Sequence, residues 1–453
     1  MAKTKSVFVC QSCGAQSSRW TGRCIVCQTW DSMVEEISET GPAAKAKASS
    51  GSARADIAAA QRIDSVTSAK TERLATGIGE VDRVLGGGLV PGGVVLVGGE
   101  PGIGKSTLLL QVLAAVSALG HETLYVSGEE SAEQIAARAR RLGASHPKIS
   151  LLITSDVGQV LATAKKQQPA VMIVDSVQTL RSEALDGYAG SVGQLREVTS
   201  ALIEHAKREN VACLLVGHVT KDGTIAGPKV IEHLVDAVLA FEGERGHPLR
   251  TVRALKNRYG GTNELGVFEM RSDGLAPVDS PSRLMLQGRA RGQAGSVVAA
   301  TCSGQRPVLA EVQALVTHPD AGSLRRVASG TDAQRVAMIL AVLERKAGLS
   351  FGRADVFVNV VGGLYVDEPA ADLAIALAVA SSHLGRPVGE GLVVFGELGL
   401  AGELRPASRA EERVAEAHAM GFEEVIAPLH AGTRINGCLH VGTLSHALDM
   451  ALR

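Results

Sequence analysis

The segment GEPGIGKS at 99–106 constrains this chain more than any other, because it satisfies G-x-x-x-x-G-K-[S/T] at every position. A loop of this kind uses glycines so that backbone N–H groups can turn inward on phosphate oxygens. The helix that follows adds the partial positive charge of its N-terminus. The surrounding sequence supplies the required context: the apolar run VVLVGG (94–99) leads in and the helical run TLLLQVLAAV leads out. The spacing assigns Gly99, Glu100, Pro101, Gly102, Ile103, Gly104, Lys105, Ser106 and Thr107 to a phosphate cradle. In such a cradle Lys105 reaches the β- and γ-phosphates, and the Ser106 hydroxyl falls on Mg²⁺.

Three more apolar runs read as strands of a parallel sheet flanked by helices: TLYVSG (123–128), VMIVDS (171–176) and ACLLVGH (212–218). Open sheets of this kind bind ligands at the carboxyl ends of their strands. VMIVDS delivers Asp175 there, as a carboxylate for magnesium. TLYVSGEES ends in Glu129 and Glu130, candidate bases for the attacking water; the segment is similar to the one that carries the catalytic glutamate in RecA and replicative-helicase motors, a resemblance that favours Glu129 and leaves Glu130 as the alternative. His218 closes the last strand, at a place similar to that where such motors carry a polar sensor of the γ-phosphate.

The N-terminus carries a second signature. Cys10, Cys13, Cys24 and Cys27 form two C-x2-C knuckles ten residues apart. Four thiolates so spaced complete a tetrahedral site that suits Zn²⁺; a rubredoxin-type iron site has the same ligands. With every position filled by protein the site is structural, and so short a module depends on its metal to fold. Trp20 and Trp30, the only tryptophans, lie beside the knuckles, to shield the metal or to offer a flat contact surface. Cysteines in this pattern point to a reducing, cytoplasmic setting, and the chain shows neither a signal peptide nor an apolar run of about 20 residues that could span a membrane.

Texture divides the chain into 1–33 (zinc finger), 34–70 (an Ala/Ser/Gly/Lys-rich linker), 71–275 (the α/β nucleotide domain) and 276–453. The last region mixes short strands such as DVFVNVVG (355–362) with two apolar helices near 331–346 and 369–384. Its charge is uneven: 283–353 holds ten Lys/Arg against four Asp/Glu, whereas 354–453 holds six against thirteen, so the first part is the side suited to phosphate backbones. Arg283, Arg289, Arg291, Arg325, Arg326 and Arg353 are the candidates there.

The run TGIGEVDRVLGGGLVPGGVVLVGGEPGIGKST resembles the RecA/RadA/KaiC branch of P-loop ATPases, and KNRYG (256–260) resembles the KNRFG signature of the bacterial RadA (Sms) family with Tyr259 in place of Phe. With the cysteine knuckles before and the C-terminal region after, the resemblance covers essentially the whole chain. It implies a RecA-like α/β ATPase core, an N-terminal four-cysteine zinc finger and a C-terminal α+β domain like the proteolytic domain of Lon. It also implies ATP, Mg²⁺ and Zn²⁺ as cofactors, and a role for Lys256 and Arg258 on the nucleotide of a neighbouring subunit or in its coupling to DNA. Lys221 and Lys229, in the segment after His218, are further candidate DNA contacts.

GELGLAGELRPASRAEERVAEAHAMGF (396–422) is similar to Lon, which uses a Ser–Lys dyad. Here Ala370 falls on the serine's place and Glu411 near the lysine's, so the resemblance implies a scaffold without proteolysis. The function implied is a DNA-dependent ATPase of recombination and repair. It would process branched intermediates as a homo-oligomeric, hexameric ring on single-stranded DNA, with a RecA-type recombinase as partner. A Lon-type protease and an ATP-gated DNA-binding scaffold are the alternatives.

Overall fold

The computed structural model describes residues 5–10, 16–26, 28, 30, 33–38, 72–218, 230–243, 248–262, 264–289, 291–318, 324–362, 365–429 and 434–452. The chain forms two compact units, one of residues 1–242, 250–262 and 270–277, the other of 243–249, 263–269 and 278–453.

The first unit opens with β1 (Lys5–Cys10), β2 (Gln16–Ser17) and β3 (Met33–Ser38), an antiparallel sheet with β1 in the middle. The expected linker at 34–70 begins on β3, whose six residues pair with β1; residues 39–70 lie outside the described residues. Strand pairing carries the ribbon five residues past the expected boundary at 33.

The elements that build the nucleotide domain are α1 (Gly79–Leu85), β4 (Val94–Gly99), α2 (Lys105–Ala118), β5 (Thr123–Ser127), α3 (Ala132–Arg141), β6 (Ile149–Ile153), α4 (Val157–Gln167), β7 (Val171–Asp175), α5 (Val192–Glu209), β8 (Ala212–His218), α6 (Val230–Leu234), β9 (Ala237–Glu242) and β10 (Leu249–Asn257). Its sheet includes the run β10-β9-β4-β8-β7-β5-β6. All pairs from β9 to β6 are parallel, and β10 is antiparallel to β9. Every residue of β4, β5 and β7 is buried, as strands covered on both faces require. Leu96, Leu124, Val126, Met172, Val174 and Leu215 pack with Val160 of α4 and with Leu195, Val198 and Leu202 of α5. Each such side chain contributes about 1.5–3 kcal/mol by leaving water. Helix boundaries follow local chemistry. Ser131 and Gln134 form a reciprocal capping box at the start of α3, and the Asp156 carboxylate caps α4.

In the second unit a mixed sheet runs in the order 326–329, 355–360, 306–317, 296–303, 392–394, 424–427, 439–440. The helix Asp372–Leu384 is buried from Asp372 through Ser381 and forms the centre of the unit. The other expected helix runs Ala333–Ala347, with the Asp332 carboxylate as its N-cap. The helix expected from 369 begins as a 3-10 turn, Pro369–Ala371, and turns α-helical only at Asp372. The reason is a competing bond: Gly396 N–H donates to the Ala370 carbonyl at 2.8 Å, drawing that acceptor out of the helix ladder. Asp372 is fixed by Arg335, whose Nε and Nη2 donate to its two oxygens at 2.5 and 2.6 Å. Among the described residues no helix is long and apolar enough to cross a membrane.

Candidate functional site

The carboxyl ends of β4, β5 and β7 meet at a cavity of about 300 Å³. Pro101, Gly102, Gly104, Lys105, Ser106, Thr107, Ser127, Glu129, Glu130, Arg138 and Asp175 line it. Two glycines of the loop have separate reasons to be glycine. A Cβ on Gly99 would stand 2.6 Å from the Phe241 carbonyl oxygen of the neighbouring β9. Gly104, the N-cap of α2, takes φ +117, a left-handed value that a side chain opposes. From the other flank Arg250, near the start of β10, donates through Nε to the Ile103 carbonyl at 3.1 Å and props the loop.

Lys105 is buried, and its Nζ donates to the carbonyls of Gly99 (2.7 Å) and Glu100 (2.9 Å). Burial lowers its pKa, while the nearby Asp175, Glu129 and Glu100 pull the other way. Opposite it stands the Asp175 carboxylate, also buried, accepting a 2.6 Å hydrogen bond from the Tyr125 hydroxyl. Burial, followed by Asp175 itself, raises the Tyr125 pKa far above the phenol range, so Tyr125 stays protonated and remains a donor.

The two glutamates differ. Glu129 Oε1 accepts from the Ser176 hydroxyl at 2.6 Å, whereas Glu130 is taken up by an ion pair with Arg138 of α3. The Ser127 hydroxyl accepts the N–H groups of both, at 3.3 and 3.1 Å, and sets the turn that presents them. Arg138 keeps its Nη1 buried without a partner among the described residues, beside the phosphate cradle. Ammonium, guanidinium, the amides of the glycine-rich loop, a hydroxyl and a carboxylate are together a ligand set that fits a nucleotide triphosphate with Mg²⁺. β8 aligns His218 with Gly99 in register and so brings its backbone to the same edge; its side chain lies outside the described residues.

Lys256 and Arg258 are not part of this cluster. Arg258 Nη1 pairs with Asp236 Oδ1 at 3.1 Å, and Asp236 Oδ2 accepts the Val94 N–H at 3.1 Å, at the amino end of β4. The phosphate loop begins at the other end of that strand, about 17 Å away by strand rise. Lys256 Nζ donates to the carbonyls of Glu232 (2.9 Å), His233 (3.2 Å) and Val235 (2.7 Å) and so closes the end of α6. Burial, then Arg258, lowers its pKa. Tyr259 is held from a distant part of the chain, its carbonyl accepting from Arg73 Nη2.

In the ribbon, Cys10 and Cys24 are buried together against Met33 and Phe8. The Val26 N–H points at Cys24 Sγ at 3.4 Å, the bond a thiolate knuckle makes. These residues fit a zinc site; Cys13 and Cys27, its other two expected ligands, lie outside the described residues, as do Lys221 and Lys229.

Of the six candidate arginines of the second unit, Arg283, Arg289 and Arg291 line one cavity of about 550 Å³ together with Glu390 and Phe422. Arg289 donates to the Glu390 carbonyl at 3.1 Å and stands 5.6 Å from the Phe422 ring. Arg325 and Arg326 are exposed by the sheet's edge strand 326–329, and Arg353 is exposed after the preceding helix. Ala370 is buried and Glu411 is exposed. Between the segments that carry them lies an ion pair unforeseen from sequence: Arg413, with no exposed surface, donates to both oxygens of Glu368 at 2.9 and 2.7 Å and to the Ala300 carbonyl at 2.6 Å.

Comparison with known proteins agrees with this layout. A model described as AAA domain matches residues 60–224, one described as Rubredoxin metal binding domain matches 8–35, and one described as Subunit ChlI of Mg-chelatase matches 324–431. The chain is 46% identical to the DNA repair protein RadA of Bacillus subtilis over 94% of its length and 93% of the relative's. It is 45% identical to that of Streptococcus pyogenes serotype M1 over 99% and 100%, and 46% identical to that of Pseudomonas aeruginosa over 95% and 94%. The chain belongs to the RadA family. Membership accounts for the order of parts: a cysteine ribbon, a RecA-like nucleotide core and a C-terminal Lon-like domain.

Tyr125, Ser127, Ser176, Arg138 and Arg250 were not singled out from sequence. Ser176 and Tyr125 lie on or beside strands whose tips the sequence assigns, but the pairing of β5 with β7 that gives them their partners has no local signal. Nothing local marked Arg250.

Proposed function

We propose that the chain is a DNA-dependent ATPase of DNA repair and recombination that drives the processing of branched DNA as a ring-shaped, hexameric motor on single-stranded DNA, with a RecA-type recombinase as partner. One observation carries the ATPase reading: Lys105, Ser106, Asp175 and Glu129 converge on one cavity at the strand tips. Magnesium, when bound, neutralises charge on the phosphates. The chain's own groups do the rest. Lys105 and the loop amides bind the phosphates, and Ser106 and Asp175 hold the metal's position. Glu129, oriented by Ser176, takes the proton of the attacking water. The RadA relatives are named DNA repair proteins, which supports DNA as the polymer acted on.

The ring is supported by the placement of Arg258 and Lys256. Both lie at the amino end of β4, too far to serve their own nucleotide, and a neighbouring subunit is the natural recipient of a guanidinium there. The C-terminal unit is proposed as a non-proteolytic scaffold. Ala370 offers no nucleophile, and the nearby Cys302 thiol is pushed up to about 11 by burial, out of the reactive range.

The test is ATP hydrolysis by purified protein with and without single-stranded DNA. Stimulation by DNA, lost in Lys105→Ala, is expected; equal rates in the two conditions sink the reading.

A further inference from the structure

The RadA family match and the nucleotide cavity leave one exposed feature unused. Trp20 and Trp30 are the chain's only tryptophans, and they remain 59% and 68% exposed on the metal ribbon. Among the described cysteines, Cys10 and Cys24 are buried while both indoles stay exposed. The two indoles approach each other over Gly22. A Cβ there would sit 3.6 Å from the tip of Trp20 and 3.9 Å from Trp30. Beside them, Arg23 donates to the Gln28 carbonyl and to its side-chain oxygen, both at 2.7 Å, and so holds its guanidinium 5.6 Å from the centre of the Trp30 ring. Arg19 is exposed one residue before Trp20, and the run Gln16–Trp30 contains no Asp or Glu.

The geometry points to a stacking platform for single-stranded nucleic acid, in which the exposed faces of Trp20 and Trp30 take two unpaired bases and Arg19 and Arg23 take the phosphates between and beside them. Exposed indoles offer π-faces that accept any base, and a guanidinium pre-positioned beside the ring adds both a plane and a charge. Restraint by Gln28 removes part of the ordering cost that a free arginine incurs. Cys10 and Cys24 are buried, whereas the side chains of Arg19 and Arg23 are exposed. The platform rests on the proposal that single-stranded DNA is the substrate, and assigns that DNA a second contact remote from the nucleotide.

The full-length protein supplies its own probe, because tryptophan emission reports on the ribbon alone. Titration with unlabelled oligothymidylate is expected to quench that emission over the same concentrations at which a labelled strand gains polarization. Trp20→Ala and Trp30→Ala should each weaken binding about five-fold or more, with zinc content per chain unchanged as the check on folding. Trp20→Phe and Trp30→Phe, which keep a ring, should restore most of the affinity. Silent emission while polarization saturates overturns the platform, hands the patch to a protein partner and leaves the DNA-dependent ATPase standing. Unchanged affinity in both alanine variants overturns it too. A labelled strand that never binds, together with unstimulated ATP hydrolysis, removes the substrate reading itself and the platform with it.

Discussion

The Tyr125 hydroxyl and the Asp175 carboxylate are joined by a 2.6 Å hydrogen bond across neighbouring strands β5 and β7, and the tyrosine holds the acid that would place magnesium. Removing that hydroxyl frees the carboxylate without creating a large void. Tyr125→Phe should therefore leave the fold intact and raise the Mg²⁺ concentration needed for half-maximal ATP hydrolysis about ten-fold or more, as losses of groups that orient a metal ligand do. A magnesium titration of the hydrolysis rate reads it; an unchanged midpoint means that Tyr125 does not orient a metal-holding carboxylate.

Glu129 and Glu130 are adjacent but differently employed, one on Ser176 and the other on Arg138. Glu129→Gln should cut turnover about 10²- to 10⁴-fold while nucleotide binding persists. Glu130→Gln should keep most turnover. Single-turnover hydrolysis beside binding by calorimetry separates the two, and the reverse ranking would exchange their roles.

Arg258 and Lys256 also part company. Lys256 bonds three carbonyls at the end of α6, so Lys256→Ala should lower the stability of this unit by about 1.5–3 kcal/mol, measured by denaturant unfolding. For Arg258 the decisive experiment is a mixture. Arg258→Ala and Lys105→Ala protein, each inactive alone, should recover part of the wild-type ATPase rate when combined, since one supplies the intact loop and the other the intact guanidinium. No recovery on mixing means that Arg258 does not serve a neighbour's nucleotide.

In the second unit, Arg413→Ala strands Glu368 as an unpaired acid and should cost about 3–5 kcal/mol of stability. The double change Arg413→Met with Glu368→Leu removes both charges and should cost much less. Equal losses in the two, read from unfolding curves, would show that the pair's hydrogen bonds to backbone matter more than its charges.

The phosphate loop, the strands around it and the acids at their tips were legible because each is local: a motif of eight residues and apolar runs of four to seven. Gly99 is an instructive exception within that motif. The pattern requires glycine there for the loop, but the structure shows a packing reason, the Phe241 carbonyl of a strand about 140 residues on. Tyr125 and Ser176 escaped notice because their value depends on which strand lies beside which, an order that texture does not reveal. Lys256 was legible as important through KNRYG, yet its present partners are three backbone carbonyls, which carry no side-chain signature in sequence. Nothing local marks Arg413 on the helix Ala410–Ala419, which also carries Glu411, Glu412 and Glu416; only tertiary burial makes it a core residue.

β4 ties two distant sites into one rigid strut. Asp236 grips both its first N–H and the guanidinium of Arg258, its last residue opens the phosphate loop, and β8 and β9 clamp it along both edges. A pull on Arg258 from outside therefore meets a stiff rod rather than a hinge, and arrives at the loop as displacement instead of being absorbed on the way.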